Sequence, residues 1–579
     1  MLYPMLTENR ERRKAQTAFR GLNLNLNATE EEFVSMTNMG SDEAPMLAPR
    51  KRRRMIIEIP RAKTLLGGGT LSWIRDGKLY YGGVEVADGI EHGDQLVRMG
   101  AYLIVWPDKI VYNTHTRELS RMDYAWTGNG VHVRPCLLSG QELLYVSGDE
   151  APAEPQDGQY WLNTSNGGLY KYLLGVWTGI DTVYSRVECP GIGAGLHDYD
   201  VVSISGMDDE DFNLDAATVY ARGDDYIVIA SGVIVDYEND GTVTVSRQAP
   251  DLDYIVENNN RLWGYSNQTH EIWGSKLGDP TNWHSFLGIS TDSYAATVGS
   301  QGDFTGIFNF MGYVHFFKEN RIHRLYGTQP SNYQLVELQM RGVRAGCEKS
   351  LCVVNEMLYY MGRDGIVRYD GSGPVKVSEA LGEMKLESVI CGAHGNKLYV
   401  SAQTEDGPQL YVLDTMVGLW HREDTLRAVS FAATGEGDYI LDDAGTVWGI
   451  DGAGSMLEDY RAGLEEELSW EAVTGDTLTE YNMGQRTTQV KRLKRIEIRL
   501  QMDRGSHIAL DIQYDSDGKW RRAMTFETEV KKTVTLPLRA QSCDHFSLRY
   551  SGTGDVTVYA VTKVYEMVEG ARNYLGGRQ

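Results

Sequence analysis

Along most of this chain, apolar and polar residues alternate in short runs broken by polar turns. Arg261-Leu262-Trp263-Gly264-Tyr265 reads as one strand, residues 267–270 as a turn, and Glu271-Ile272-Trp273-Gly274-Ser275 as the returning strand. Alternation with a period of two marks a strand with one buried face, and Asn, Asp and Gly mark the reversals. The pattern recurs at 312–317 with 321–327, 356–361 with 366–370, 397–401 with 409–414, and 438–441 with 446–451. Residues 70–75 and 78–82 flank Asp76-Gly77, a strong short-range hairpin signal. One hairpin cannot cover both of its faces, but similar units stacked about an axis can. The units recur at roughly 40–50 residues, the period of four-stranded blades. The pattern therefore predicts an all-β fold: a β-propeller of six blades, or seven, with an inserted β domain and a C-terminal β-sandwich.

The expected boundaries follow from changes in that rhythm. Residues 1–66 read as an extended N-terminal arm with a short helix, because Thr29 and Glu32 form a capping box ahead of 30–36 and Pro45 and Pro49 then force extension. Its first 18 residues are polar and expected to be flexible, or ordered only by a partner. Residues 67–127 are expected to form the first blade and 128–250 an inserted β domain, which includes a hairpin of 160–163 with 169–172. Residues 251–463 supply the remaining blades. Residues 464–566, with the basic-apolar alternation of 490–500, form the sandwich, and 567–579 a flexible tail.

Composition adds three constraints. The 579 residues carry a net charge of −24, so the general surface repels phosphate and is suited to passing double-stranded DNA without binding it specifically. The six cysteines, Cys136, Cys189, Cys347, Cys352, Cys391 and Cys543, have neither metal-ligand nor framework spacing and are expected to be buried free thiols. No secretory leader is expected, since residues 1–18 lack an apolar core and carry Arg10, Arg12, Arg13 and Lys14, and no run of 18 apolar residues occurs to span a membrane.

Catalytic signatures are missing. No GxSxG, HExxH or P-loop occurs, so no catalytic, cofactor or metal residue is assigned, and the chain is expected not to be an enzyme. Asp208-Asp209-Glu210-Asp211 lacks calcium-loop spacing, and Asp515, Asp517 and Gly518 read as a hairpin turn. His270, His284, His315 and His323 are read as structural. A carboxylate pair for glycoside cleavage is conceivable near a propeller axis, but nothing singles one out. Trp161, Trp177, Trp263, Trp273, Trp283 and Trp420 can stack on sugars or pack between blades. The basic cluster Arg50-Lys51-Arg52-Arg53-Arg54 suits a nucleic-acid tail or, on so acidic a protein, pairing with acidic neighbours.

Two stretches resemble a known family. They are the arm (Phe19-Arg20-Gly21-Leu22-Asn23, Glu32-Phe33, Met36-Thr37-Asn38-Met39, Pro45 to Arg50) and the segment from Glu257 through Gly274-Ser275-Lys276-Leu277-Gly278-Asp279-Pro280-Thr281-Asn282-Trp283. Gly302-Asp303-Phe304-Thr305-Gly306 and Cys543-Asp544-His545-Phe546 add to the likeness. They resemble the stabilisation or tail-nozzle proteins of short-tailed phages. The resemblance implies a virion protein made in the host cytoplasm. It implies a homohexameric ring below the portal and adaptor that extends the DNA exit channel, retains the genome and anchors tail fibres or spikes. It makes Phe19, Leu22, Phe33, Met36, Arg50, Lys51, Arg52, Arg53 and Arg54 a candidate assembly-contact arm. The alternative is a receptor- or glycan-binding propeller at the tail tip, or, less favoured, a carbohydrate-active enzyme.

Overall fold

The computed structural model describes residues 11–452, 463–481, 485–487, 490–527 and 529–568. It is built almost wholly of antiparallel strands, and seven of its sheets are four-stranded units of a β-propeller. In chain order the blades cover 62–87, 95–121, 254–297, 304–338, 352–376, 387–422 and 428–449. The seventh has only three strands of its own, and Arg54–Glu58 supplies the fourth by pairing with Thr446–Gly449. The seven blades include one more than the leading expectation. The expected first blade, 67–127, contains two sheets, with strands running from Ala62–Leu66 to Val84–Ala87 and from Gln95–Met99 to Leu119–Arg121.

The chain divides into two compact units. One holds Gly89–Phe316 with His323–Leu338; the other holds the remaining described residues. Within each, successive blades abut through their first strands. Tyr254–Asn258 packs beside Phe304–Phe310 in the first unit, and Glu387–His394 beside Ala428–Thr434 in the second. The approach is close enough to dictate glycine. A Cβ on Gly67 would lie 1.8 Å from the Ala433 carbonyl oxygen, and one on Gly392 would lie 2.1 Å from the Phe431 ring. The paired hairpins match the sequence pattern: Trp263 sits opposite Gly274, and Tyr265 opposite Ile272. At the Asp76-Gly77 turn both residues have positive φ, 52° and 74°, as a two-residue hairpin of this type requires.

The inserted domain is a sandwich of two sheets. Tyr124–Gly128, Val243–Arg247, Val201–Ser205 and Leu214–Thr218 form one. Ala221–Gly223, Tyr226–Ser231, Val183–Glu188, Val131–Cys136 and Tyr237–Asn239 form the other. Val131, Val187, Phe212, Ile229 and Val245 are fully buried between them. A smaller sheet of Tyr145–Gly148, Tyr160–Asn163, Leu169–Leu173 and Val176–Gly179 projects from the chain between two of these strands.

The C-terminal sandwich holds the second unit's other core. Lys491–Met502 lies between Val530–Cys543 and Val556–Met567. A bulge between Leu493 and Arg495 resets its alternation, so Leu493, Ile496, Ile498 and Leu500 are all fully buried. The expected free arm contributes strands to both sheets. Glu11–Gln16 pairs with Val556–Met567, and Phe33–Thr37 with Ser469–Thr474. Residues 11–18 are therefore held by this chain itself, correcting the expectation of flexibility. The expected helix over 30–36 is also corrected. The capping bonds exist, with Glu32 Oε2 accepting from the Thr29 N–H at 2.7 Å, but they close one turn before Phe33 enters a strand. Residues 1–10 and the tail from 569 on lie outside the described residues.

Candidate functional site

The small sheet of the inserted domain gathers aromatic side chains on one face. Side chains alternate along a strand, so register decides which of them meet. Trp161 lies opposite Tyr170, and Tyr172 opposite Trp177. Ring centroids are 5.2 Å apart for Trp161–Tyr170, 5.5 Å for Trp161–Trp177 and 5.2 Å for Tyr172–Trp177. These are stacked and edge-on distances typical of favourable aromatic pairs. Trp161 is buried by the other three, which are half-buried and keep part of their surface in solvent. Gly179, opposite Tyr170, adds no side chain that would cover that ring.

Local chemistry fixes the platform. The Trp161 indole N–H donates to the Gly148 carbonyl at 3.0 Å. In the first turn Asn163 accepts from the Ser165 N–H and Asn166 from the Gly168 N–H, each at 2.9 Å. The Asn166 side-chain amide then donates to the Tyr170 hydroxyl at 3.0 Å. The second turn, Leu174-Gly175, has both φ values positive, and Asp157 accepts from the Leu174 N–H. The opposite face of the sheet carries Tyr160 and Leu169, which line an apolar cavity of 520 Å³ against the sandwich. Cys136 lines it too; burial pushes its thiol up to about 11, so it stays protonated and unreactive.

Aromatic rings with a free face, flanked by the Asn166 amide and the tyrosine hydroxyls, can hold a sugar ring by its C–H face and bond its hydroxyls. The hairpin of Trp161 and Tyr170 was legible in sequence. Trp177 joins it only through the fourth strand of the sheet, Val176–Gly179, which the alternation did not reveal. The other singled-out tryptophans have different roles. Trp263 and Trp283 are buried in blade cores, Trp420 is buried and bonded to the Val377 carbonyl, and Trp273 bonds Glu271.

Most side chains of the candidate assembly arm are packed within this chain. Phe19, Leu22, Phe33 and Met36 are buried, and Phe19 stacks on Phe33 with centroids 6.1 Å apart. Arg50 and Arg53 are buried among Glu423, Asp424 and Glu465. Arg53 reaches Glu423 at 2.6 Å, and Arg50 reaches Glu465 at 2.7 Å. Burial alone would push the carboxyls of Asp424 and Glu465 up, but the two guanidinium groups outweigh it and hold both below the usual range. Pairing with acidic neighbours is thus the observed role of these two arginines. Arg54 begins the blade strand, and Lys51 and Arg52 are exposed.

The remaining acidic and histidine candidates are engaged locally. Asp209 caps the single turn Glu210–Phe212. Asp515, Asp544 and His545 place ligand atoms within 4.8 Å of one another, but both His545 ring nitrogens are taken, by Asp544 and by Ser516. Asp515 accepts from the Asp544 N–H at 2.8 Å, as a turn lock does. Burial lowers His315 to about 4, and its neutral Nε2 accepts from Arg324 at 3.0 Å. All six cysteines are buried free thiols.

No family model and no curated protein matches this chain. Among solved structures it is similar to an exo-beta-1,3-galactanase of Phanerochaete chrysosporium with bound beta-1,3-galactotriose, at 7% identity and TM-score 0.20 over 53% of this chain and 95% of that one. It is similar to Kluyveromyces lactis Hsv2, at 11% identity and TM-score 0.26 over 64% and 98%. It is also similar to the phage phi92 endosialidase, at 9% identity and TM-score 0.24 over 83% and 76%. These are likenesses of fold alone. Enzymes stand among them, which overturns the expectation that the chain is not an enzyme.

Proposed function

We propose that this chain is a tail-associated phage propeller that binds host-surface glycan through the aromatic face of its inserted domain. The observation that carries the reading is the convergence of Trp161, Tyr170, Tyr172 and Trp177 on one face of a small sheet, with rings left partly in solvent. The tail association is supported by the resemblance of the arm and of residues 257–283 to short-tailed phage proteins. The test is titration of the full chain with host-wall polysaccharide, followed by calorimetry, beside the Trp177→Ala variant. Binding that the variant loses supports the reading, and binding equal in both sinks it. Assaying reducing ends in the same mixtures shows whether bound glycan is also cleaved.

A second reading is the tail nozzle itself, favoured by the net charge of −24, which suits a wall past which DNA slides. In it the chain joins the portal and adaptor as a ring subunit. Electron microscopy of the protein mixed with a portal–adaptor complex decides it, and a chain that never joins that complex counts against it.

A further inference from the structure

The loop between the third and fourth strands of the 254–297 blade is exposed, yet it is built from buried polar side chains. Asp292 is buried, and its carboxylate accepts from the N–H groups of Gly288 at 2.6 Å and Ile289 at 3.0 Å and from the Ser285 hydroxyl at 3.0 Å. Arg261, also buried, donates to the carbonyls of Ser275 at 2.7 Å and Ser290 at 2.9 Å. Trp283 anchors the loop in the blade core. What this rigid frame displays is apolar: Phe286 is 57% exposed and Ile289 51%, with Leu277, Leu287 and Tyr199 beside them. Tyr199 belongs to the same patch, since its ring lies under the Lys276 ammonium and its carbonyl accepts from Asn282.

The same unit carries a concave counterpart. The 520 Å³ cavity of the inserted domain is lined by Leu137, Leu138, Leu143, Leu169, Ile180 and Val183. At its rim Leu138 is 50% exposed, with Leu144 and Tyr145 exposed nearby. A benzene ring needs about 150 Å³, so a phenyl group and two aliphatic side chains fit.

We propose that Phe286, Leu287 and Ile289 of one copy of this chain insert into the Leu138-rimmed cavity of a second copy. Area favours that occupant. At roughly 200 Å² for a fully exposed large side chain, the five residues of the knob present about 450 Å² of apolar surface, in the range of functional patches. Interfaces are about 57% apolar, so the matching footprint is about 800 Å² per partner, the size of a stable contact. Knob and cavity are different surfaces of one chain, so the contact is head-to-tail. Each copy keeps one free knob and one free cavity, and the series ends only by closing into a ring.

The experiment is light scattering on the full chain and two surface variants: Phe286→Asp with Ile289→Asp, and Leu138→Glu. Wild type is expected to be an assembly and each variant a monomer, with circular dichroism unchanged. Mixing the two variants restores one intact knob and one intact cavity per pair, so a one-to-one dimer is expected and nothing larger. A monomeric wild type, a variant that still assembles, or a mixture that stays monomeric overturns the proposal. An independent readout is the Phe286→Cys, Leu138→Cys double variant, which must form an inter-copy disulfide on mild copper-catalysed air oxidation. Glycan binding by the monomeric variants keeps this proposal separate from the functional reading above.

Discussion

Residues 464–568 and residues 124–247 each fold as a two-sheet sandwich, yet they use their polar and aromatic side chains in opposite ways. The C-terminal sandwich turns charge inward. Lys563 is fully buried, with its ammonium 2.6 Å from Glu30, and Glu465 at the start of this region joins Glu423 and Asp424, which follow a blade strand, in clamping the arm's Arg50 and Arg53. The inserted domain turns rings outward, with Tyr172 and Trp177 half in solvent and Leu174 at the tip of a projecting hairpin. Burying an ion pair gains little net stability over an apolar pair of similar size, but removing one partner is severe. The difference teaches that the arm's contacts specify where it docks, whereas the exposed rings are placed for something other than the domain's own packing.

The largest blow to this contrast is expected from Glu30→Ala, which strands the Lys563 ammonium in the sandwich and lowers the stability of that region by about 3–5 kcal/mol. Chemical denaturation read on the cooperative transition of the sandwich checks it. Phe33→Ala should cost a comparable 3–5 kcal/mol through lost packing.

Acid should act in the same place with a smaller effect. Burial pushes the Glu30 carboxyl up, but Lys563 and Lys14 outweigh it, so Glu30, Asp424 and Glu465 all titrate below their ordinary values. The unfolded chain therefore holds more protons in that interval. The stabilisation is whole above the ordinary values of 4.5 for Glu and 3.8 for Asp and is lost as pH falls below them. Pepsin should cut within 11–60 increasingly as pH drops through that range, and cutting that ignores pH breaks the argument.

Sequence reading and structure part company along the same line. Hairpins such as 261–274 and 357–369 were legible because both strands and their turn lie within about a dozen residues. The arm strands were not, because Phe33 pairs with Thr474 and Glu11 with Glu566, and nothing local encodes such a partner. The capping box at Thr29 was real but had no amphipathic helix behind it. At the candidate site, Trp161 and Trp177 were noted as tryptophans, but their meeting depends on a further strand, Val176–Gly179, whose residues show no apolar-polar alternation.

Smaller effects sharpen the comparison on the inserted side. Trp177→Ala should weaken glycan binding about thirtyfold, equivalent to about 2 kcal/mol, while leaving the melting of the sandwiches unmoved. Titration calorimetry beside a thermal scan separates the two. The smallest effect expected is a gain. Leu174 is 95% exposed with φ of 53°, a conformation costing a branched side chain about 1 kcal/mol, so Leu174→Asn should stabilise the hairpin by up to that amount. Hydrogen exchange at residues 169–179 would register it.

The antiparallel pairing of Glu11–Gln16 with Val556–Met567 also sets a timetable. A ribosome adding about 5–20 residues per second needs roughly half a minute to two minutes to travel from one strand to the other. Throughout that interval the leading strand is translated but unmated, with its edge open to other nascent chains. The blades between can fold as they emerge, but this sheet is completed last, after its final strand has left the exit tunnel.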